Sequence, residues 1–386
     1  MSYSRRGYRQ RGRKRGKCVY LLDELLGIKE GERFCPLIQE IGVELAVETS
    51  FRVAAKFMEE YLGVPVSAET VHEWVQAAGE AREKELAEEE RRVFEFGEVP
   101  EGSKEASFVV IEANGVRVRA QRAKEKAVEL KLGVMHEGWK SESAAGGREK
   151  LVGKQCWAGH MSEERFWERG SYILPKTYRQ FGEVVVNGDG EEWIKGASEY
   201  IEGAKVYLDR FHRNRAINQA LGFDPRLREK ALEEASAGNF EGLMRLIAEA
   251  KLKAPSGVHL ERVRDLEGYQ RRNRDGLKGW HCGQNGLDPI ESQVSHVLAR
   301  RMKRRGMSWS QAGAHNRVVG EVRAIQVAEA DGGQGGTGEE GVIEPLAKED
   351  PASWLKASMP ILHSYKCSYP IGQVLKALGS LDRLIA

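Results

Sequence analysis

The apolar residues of this chain recur first at helical spacing, then at strand spacing, then at helical spacing again. Ala54, Ala55, Met58, Tyr61 and Leu62 follow the i, i+1, i+4, i+7, i+8 pattern of one helix face. Gly63-Val64-Pro65-Val66 breaks that helix, and Ser67 is a good N-cap for a second, with Val71, Trp74, Val75 and Ala78 on its inner face. Helix, glycine-containing turn, helix is a helix-turn-helix layout, with Glu69, Thr70, Glu73 and Gln76 turned outward. Two acids on that face suit phosphate poorly, so a plain helical hairpin stays open beside the DNA-reading one. Glu80 to Phe94 is densely charged and predicts a solvated helical connector, ended by the Pro100-Glu101-Gly102-Ser103 turn.

The period changes near residue 104. Ser107 to Asn114 is a β-rich run, Val116 to Gln121 alternates apolar and polar, and Ala127 to Met135 gives a third strand. Asn114-Gly115 predicts a hairpin turn between the first two, hence an antiparallel meander. Residues 140–180 are glycine-rich, then polar-helical. Val184-Val185-Val186-Asn187-Gly188-Asp189-Gly190 reads as a buried strand ending in a glycine-flanked acid, followed by a helix start at Glu191-Glu192-Trp193-Ile194. Lys205 to Asp209 is another short strand. Residues 216–287 keep helical spacing, broken at Gly222-Phe223-Asp224-Pro225 and Ala254-Pro255-Ser256-Gly257, and predict an all-α insertion. Asp288-Pro289-Ile290-Glu291 starts a long helix, with Asp as N-cap and Pro at N1, that stops at Gly306. Residues 330–341 are glycine-rich and predict a linker.

Charge sharpens this picture. The net charge is only +2, but eight of the first seventeen residues are Arg or Lys, and no acid precedes Asp23. Arg5, Arg6, Arg9, Arg11, Arg13, Lys14 and Arg15 predict an arm that is disordered until it meets nucleic acid. A second cluster holds Arg301, Lys303 and Arg304. A solubilising tail and a solvated helix face are the plain alternatives for the two. Five scattered cysteines without a C-x-x-C pair argue against a closed zinc site and for reduced thiols in the cytoplasm. No apolar run approaches the ~18 residues of a membrane span, and the basic N-terminus lacks the apolar core of a secretory signal.

A meander, then strand-acid-helix, then a strand, then a late helix with an acid is the element order of a ribonuclease-H-like domain. In such a domain three acids stand on the first strand, at the end of the fourth, and on the last helix. They bind two Mg²⁺ ions ~3.5–4 Å apart for in-line displacement at phosphorus. Asp189 fits the second position, although an Asx turn would use the same residue. Glu291 fits the third, although Asp288-x-x-Glu291 is also a capping box. At the first position Glu112 and Asn114 share one strand face, and an amide lacks the charge that draws a cation in.

These blocks resemble the DDE transposases of the ISLre-type insertion-sequence family. The matching stretches are Ile111-Glu112-Ala113-Asn114-Gly115 with Gln121, and Glu129-Leu130-Lys131-Leu132-Gly133 through Glu137-Gly138-Trp139. Gly188-Asp189-Gly190 with Trp193-Ile194, and Leu208-Asp209-Arg210-Phe211-His212, follow. The longest runs from Glu291-x-x-Val294-Ser295-His296-Val297 to Gly306-Met307-Ser308-Trp309-Ser310. The resemblance covers most of the chain from about residue 20. It implies Asp189 and Glu291 as the second and third catalytic acids, and Mg²⁺ or Mn²⁺ as two bound ions. It also implies element ends and target DNA as partners, a dimer or larger assembly, and a nucleoid-associated place in the cytoplasm. Asp209-x-x-His212 resembles the Cys/Asp-x-x-His signature of related transposases, with His212 and Arg213 near DNA. The family pattern at the first acid is Glu-x-Asp, from which Asn114 departs. Glu112, or an Asn114 deamidated in its Asn-Gly pair, would then supply the missing charge.

The expected fold class is therefore α/β: a ribonuclease-H-like catalytic core with an all-α insertion, preceded by a helical, helix-turn-helix-like N-terminal domain. The expected boundaries are a basic arm over 1–20, the helical domain over 21–79 and a connector over 80–103. The core follows over 104–215, the insertion over 216–287, the final catalytic helix over 288–329, and a linker with tail over 330–386. An active transposase, a catalytically weakened DNA-binding copy and a structure-selective nuclease remain as competing functions.

Overall fold

The computed structural model describes residues 7–8, 18, 20–21, 33–121, 124–141, 149–278, 294–299, 302–303 and 307–333. The chain divides into two units, Met1–Glu44 with Ala324–Ala386, and Leu45–Arg323. The first unit's described residues are mainly the start of helix α1 (Pro36–Glu48) and the end of the last helix; everything below concerns the second.

Helices α2 (Phe51–Leu62) and α3 (Ala68–Phe96) form because each starts on a serine whose hydroxyl accepts a backbone N–H, Ser50 from Val53 and Ser67 from Thr70. Between them Gly63 adopts φ +65°, the left-handed conformation that ends a helix cheaply. Ala54, Ala55, Met58, Val71 and Val75 are buried as their spacing predicts, but Tyr61 and Leu62 are exposed. The expected connector is not a separate element: α3 is one helix of 29 residues. Nor is it merely solvated. Its Glu83 and Glu90 hold Arg165 and Arg169, with Arg169 Nε 2.6 Å from Glu90 Oε1. Of the expected outward face, Glu69 and Glu73 are exposed, while the Gln76 Oε1 accepts a hydrogen bond from Asn316 Nδ2.

Next come strands β1 (Lys104–Arg119), β2 (Ala127–His136), β3 (Trp139–Ser141), β4 (Glu149–Leu151) and β5 (Gln155–Gly159), then helix α4 (Glu163–Thr177) and strand β6 (Tyr178–Gly188). Short helices α5 (Glu192–Lys195) and α6 (Ala197–Tyr200) lead to β7 (Lys205–Leu208). Five strands make one sheet in the order β5-β2-β1-β6-β7. β1, β2 and β5 are antiparallel neighbours, whereas β6 runs parallel to β1, and β7 parallel to β6.

The hairpin expected at Asn114-Gly115 is absent. β1 runs straight through, with Asn114 opposite Leu132 and Gly115 opposite Lys131. A turn dipeptide reverses a chain only where its backbone groups are free. Here β2 takes up the ladder through the whole dipeptide, and the β-branched Val116 and Val118 carry the strand on. The chain reverses instead at 120–126, where Ala120 N–H donates to Lys126 O at 3.0 Å. The meander's third strand is β5, in the stretch expected to be irregular or helical.

One sheet face packs Ile111, Ala113, Val184 and Val186 against α4 and a cluster of Phe166, Trp157, Trp167 and Trp193. Phe166 meets Trp167 and Trp193 edge-on, with centroids 5.0 and 5.1 Å away. After β7 come α7 (Arg210–Leu221), α8 (Pro225–Ser236), α9 (Phe240–Lys253) and α10 (Gly257–Arg272), closed by a 3-10 turn at Asp275–Lys278. They build a second core on Ile217, Leu221, Leu243, Ile247, Val263 and Leu277. The two expected breaks are there, and a third falls before Phe240, where Asn239 caps α9. A π-helical turn at Val294–Ala299 packs on β1, and α11 (Gln311–Gly333) ends the described chain. Among the described residues no helix is long and apolar enough to cross a membrane.

Candidate active site

Parallel pairing brings the candidate residues together. Glu112 stands opposite Asn187 and Ala113 opposite Gly188, so the next positions are neighbours, Asn114 within β1 and Asp189 just past the end of β6. Gly188 stands opposite Leu208, so Asp189 and Asp209 are neighbours at the ends of β6 and β7. Asp209 N–H donates to Gly188 O at 2.7 Å and ties the two ends. Asn114, Asp189 and Asp209 thus form a row across three adjacent strands ~5 Å apart. Asp209 completes that row and was not among the expected site residues. Its signal was present in the Asp-x-x-His spacing at the last residue of a predicted strand.

Asp189 is half-buried, and its Oδ1 accepts the Glu191 N–H at 3.0 Å. Burial pushes its carboxyl above the usual range. The Glu191 amide opposes this, the Glu191 charge adds to it, His212 pulls it down, and Asp209 pushes it up. Asp209 is fully buried and caps α7. Its Oδ2 accepts from the His212 N–H at 3.0 Å and lies 2.7 Å from His212 Nδ1. That contact puts the ring proton on Nδ1, so Nε2 accepts in the neutral imidazole and donates only in the protonated one.

Glu112 keeps the same face as Asn114 but sits two residues back along β1, ~6.6 Å deeper. It is fully buried, with His136 Nε2 3.5 Å from its Oε1. His136 Nδ1 accepts the Gly138 N–H at 3.0 Å, so its proton belongs on Nε2, toward Glu112. Burial and, secondarily, the Lys154 charge lower its pKa to about 4, so the ring is neutral at neutral pH. Glu112 is therefore engaged below the row rather than standing in it.

Arg213, expected at DNA, is 3% exposed and donates to Ala235 O at 3.0 Å and Ser236 Oγ at 3.3 Å. Such an enclosed guanidinium joins α7 to the end of α8 instead. Lys303 is exposed. Glu291, Arg301, Arg304 and the arm residues Arg5, Arg6, Arg9, Arg11, Arg13, Lys14 and Arg15 lie outside the described residues. Among the described residues no three His, Cys, Asp or Glu side chains gather closely enough to hold a metal ion.

A family profile described as "Uncharacterised protein family (UPF0236)" matches residues 1–341. A UPF0236 protein of Caldanaerobacter subterraneus subsp. tengcongensis is 26% identical over 318 residues, 81% of this chain and 63% of the relative. Another from that organism is 26% identical over 304 residues, 77% of this chain and 61% of the relative. A UPF0236 protein in the vanSb 3′ region of Streptococcus gallolyticus is 28% identical over 325 residues, 81% of this chain and 68% of the relative. The chain spans about six-tenths of the first relatives' length. Among solved structures, the Drosophila P element transposase strand transfer complex aligns at a TM-score of 0.26 and 9% identity, over 81% of this chain and 84% of that one. A likeness at that level does not establish a shared fold.

Proposed function

This chain belongs to the UPF0236 family, and we propose that it is a DNA transposase of the DDE type on a ribonuclease-H-like core. The observation that carries the reading is Asp189 at the end of the fourth sheet strand, beside position 114 on the central first strand. That is where such a core keeps two of its three acids. The third, Glu291, precedes by three residues the turn Val294–Ala299 that packs on β1. The 26%-identical Caldanaerobacter relative over 318 residues adds support of another kind, because its name runs through eleven loci of one genome. A protein encoded many times over in one chromosome is what a self-copying element leaves behind.

Asp189 suits a divalent cation: its carboxylate is desolvated beside a second acid, a strain that a bound cation relieves. Asp189 and Glu291 would hold the ions, with the amide oxygen of Asn114 as a further ligand. Bound Mg²⁺ would supply an activated water or 3′-hydroxyl and a stabilised leaving oxygen. The chain's own groups orient the DNA. His212, its Nδ1 donating to Asp209, meets a phosphate oxygen through Nε2 as a protonated imidazolium, and the basic arm and the cluster with Arg301, Lys303 and Arg304 neutralise the backbone. The reaction is hydrolysis at element ends, then attack of the freed 3′-hydroxyl on target DNA by an oligomer holding two ends.

A second reading is favoured by Asn114 itself: a DNA-binding copy whose cleavage is weak. Deamidation does not readily repair it, because the Gly115 nitrogen would have to attack the Asn114 side chain while β1 is held extended in its ladder. The test uses DNA carrying the element ends, Mg²⁺ or Mn²⁺, and the parent beside Asn114→Asp and Asp189→Ala. Cleavage by the parent that Asp189→Ala abolishes supports an active transposase. Cleavage by Asn114→Asp alone supports the weakened copy. Cleavage without joined products makes the protein a nuclease, and no cleavage by any form removes the proposal.

A further inference from the structure

The turn carrying Asp189 is held from three sides, and one of them lies eighty residues further along the chain. From the sheet, Asp209 N–H donates to Gly188 O. Within the turn, Glu191 N–H donates to Asp189 Oδ1. From the helical insertion, the Tyr269 hydroxyl in the last turn of α10 donates to Asp189 O at 2.8 Å. The residues beside Tyr269 tighten the same contact. Lys195 Nζ donates to Arg272 O at 2.9 Å. Asn273, 5% exposed, is pinned by its own Nδ2 on Tyr269 O at 3.0 Å and closes over Gly190. Gly190 sits at φ +89°, and an added Cβ would run into the Asn273 side chain. Three residues on, Gly276 lies against Leu208 at the end of β7. The exit of the insertion therefore abuts both strand ends that present the acids.

We infer that Tyr269 is a positioning residue for Asp189, and that through it the helical insertion sets where the carboxylate points. This rests on reading Asp189 as a reacting-site acid. The Asp189 carbonyl fixes the peptide plane from which the side chain leaves the strand, so anchoring that carbonyl anchors the carboxylate. Misplacing a reacting group by ~1 Å can cost on the order of 10²-fold in rate.

The test is Tyr269→Phe in the full chain, which removes one oxygen and leaves the ring packed. The first readout is amide hydrogen exchange in the peptide spanning 188–193, where the Glu191 N–H reports on Asp189 Oδ1. Exchange about tenfold faster, with the melting temperature nearly unchanged, is the expected result. The second is strand cleavage in the Asn114→Asp background, where kcat falls about tenfold and KM for DNA holds. Asn273→Ala should move both readouts the same way by less, and it substitutes if Tyr269→Phe fails to fold. Parental exchange at 188–193 overturns the inference whatever the kinetics. If no variant cleaves DNA, the transposase reading falls, and the exchange alone still decides the positioning role.

Discussion

The two faces of the five-stranded sheet are built from alternate residues of the same strands, and they bury opposite kinds of chemistry. On one face Ile111, Ala113, Val184 and Val186 meet four large aromatic rings. On the other, Glu112, Asn114, His136, Asn187 and Asp209 are buried beside Val110, Val134 and Val185. Apolar burial contributes ~25 cal/mol per Å² wherever it occurs, whereas burying a polar or charged group costs free energy unless partners offset it. The first face is what holds this fold together. The second is retained at a cost, which is why it is the face to search for function.

The largest effect tests the first face. Phe166→Ala should destabilise by about 3–5 kcal/mol, because the ring is fully buried among three tryptophans that cannot collapse onto the gap. The urea midpoint should fall with its slope unchanged. A loss under about 1 kcal/mol would mean that the aromatic cluster is not the main support.

The second prediction exploits pH on the opposite face. His136 has a folded pKa of about 4, below its unfolded value of 6.5, so the unfolded chain binds more protons between those limits. Its neutral burial therefore adds stability that is fully present above pH 6.5 and is lost as pH falls through 4, up to about 3 kcal/mol. Other groups titrate in the same window, so the quantity to measure is the difference in slope between the parent and His136→Gln. Equal slopes from pH 7.5 to 4.5 would place His136 in water.

Third, Glu112→Ala should cost about 2–3 kcal/mol, by opening a cavity on the buried face and removing the carboxyl group 3.5 Å from His136 Nε2. The double change Glu112→Met with His136→Leu should recover most of that loss while leaving the row of Asn114, Asp189 and Asp209 in place. A double variant as unstable as the single one would show that the polar pair stabilises the sheet in its own right.

The contrast between the faces also explains what could be read in advance. The apolar side is legible as a run: Val184-Val185-Val186 reads as a buried strand, and the insertion's breaks fall at Gly, Pro and Asp. Asp189 at a strand end was legible because glycines flank it. The line through Asn114 was not. Asn-Gly is a turn dipeptide in isolation, and only the ladder with β2 keeps it extended. β5 carries too few residues to outweigh the glycines before it. Glu83 and Glu90 resemble a solvated charge run until Arg165 and Arg169, some eighty residues later, are packed against them. Likewise no local pattern points from Asp189 to Tyr269. Partners so distant in sequence are fixed by tertiary packing, which composition and spacing do not encode.

The smallest effect compares two helix caps, one on each side of the sheet's chemistry. Ser162 caps α4 on the apolar side, its hydroxyl accepting the Arg165 N–H at 3.2 Å. Asp209 caps α7 at the strand-end row, accepting from the His212 N–H at 3.0 Å. Ser162→Ala removes the acceptor and should cost about 1 kcal/mol. Asp209→Asn keeps one, since Asn and Asp are near-equal caps, and should cost less than about 0.5 kcal/mol if capping is all that Asp209 does. The two costs, read side by side from urea midpoints, therefore separate a cap from a charge. A loss at Asp209→Asn well above that at Ser162→Ala would mean that the carboxylate balances a protonated His212. The row would then carry its own counter-charge, and the cation would have less to neutralise beside Asp189.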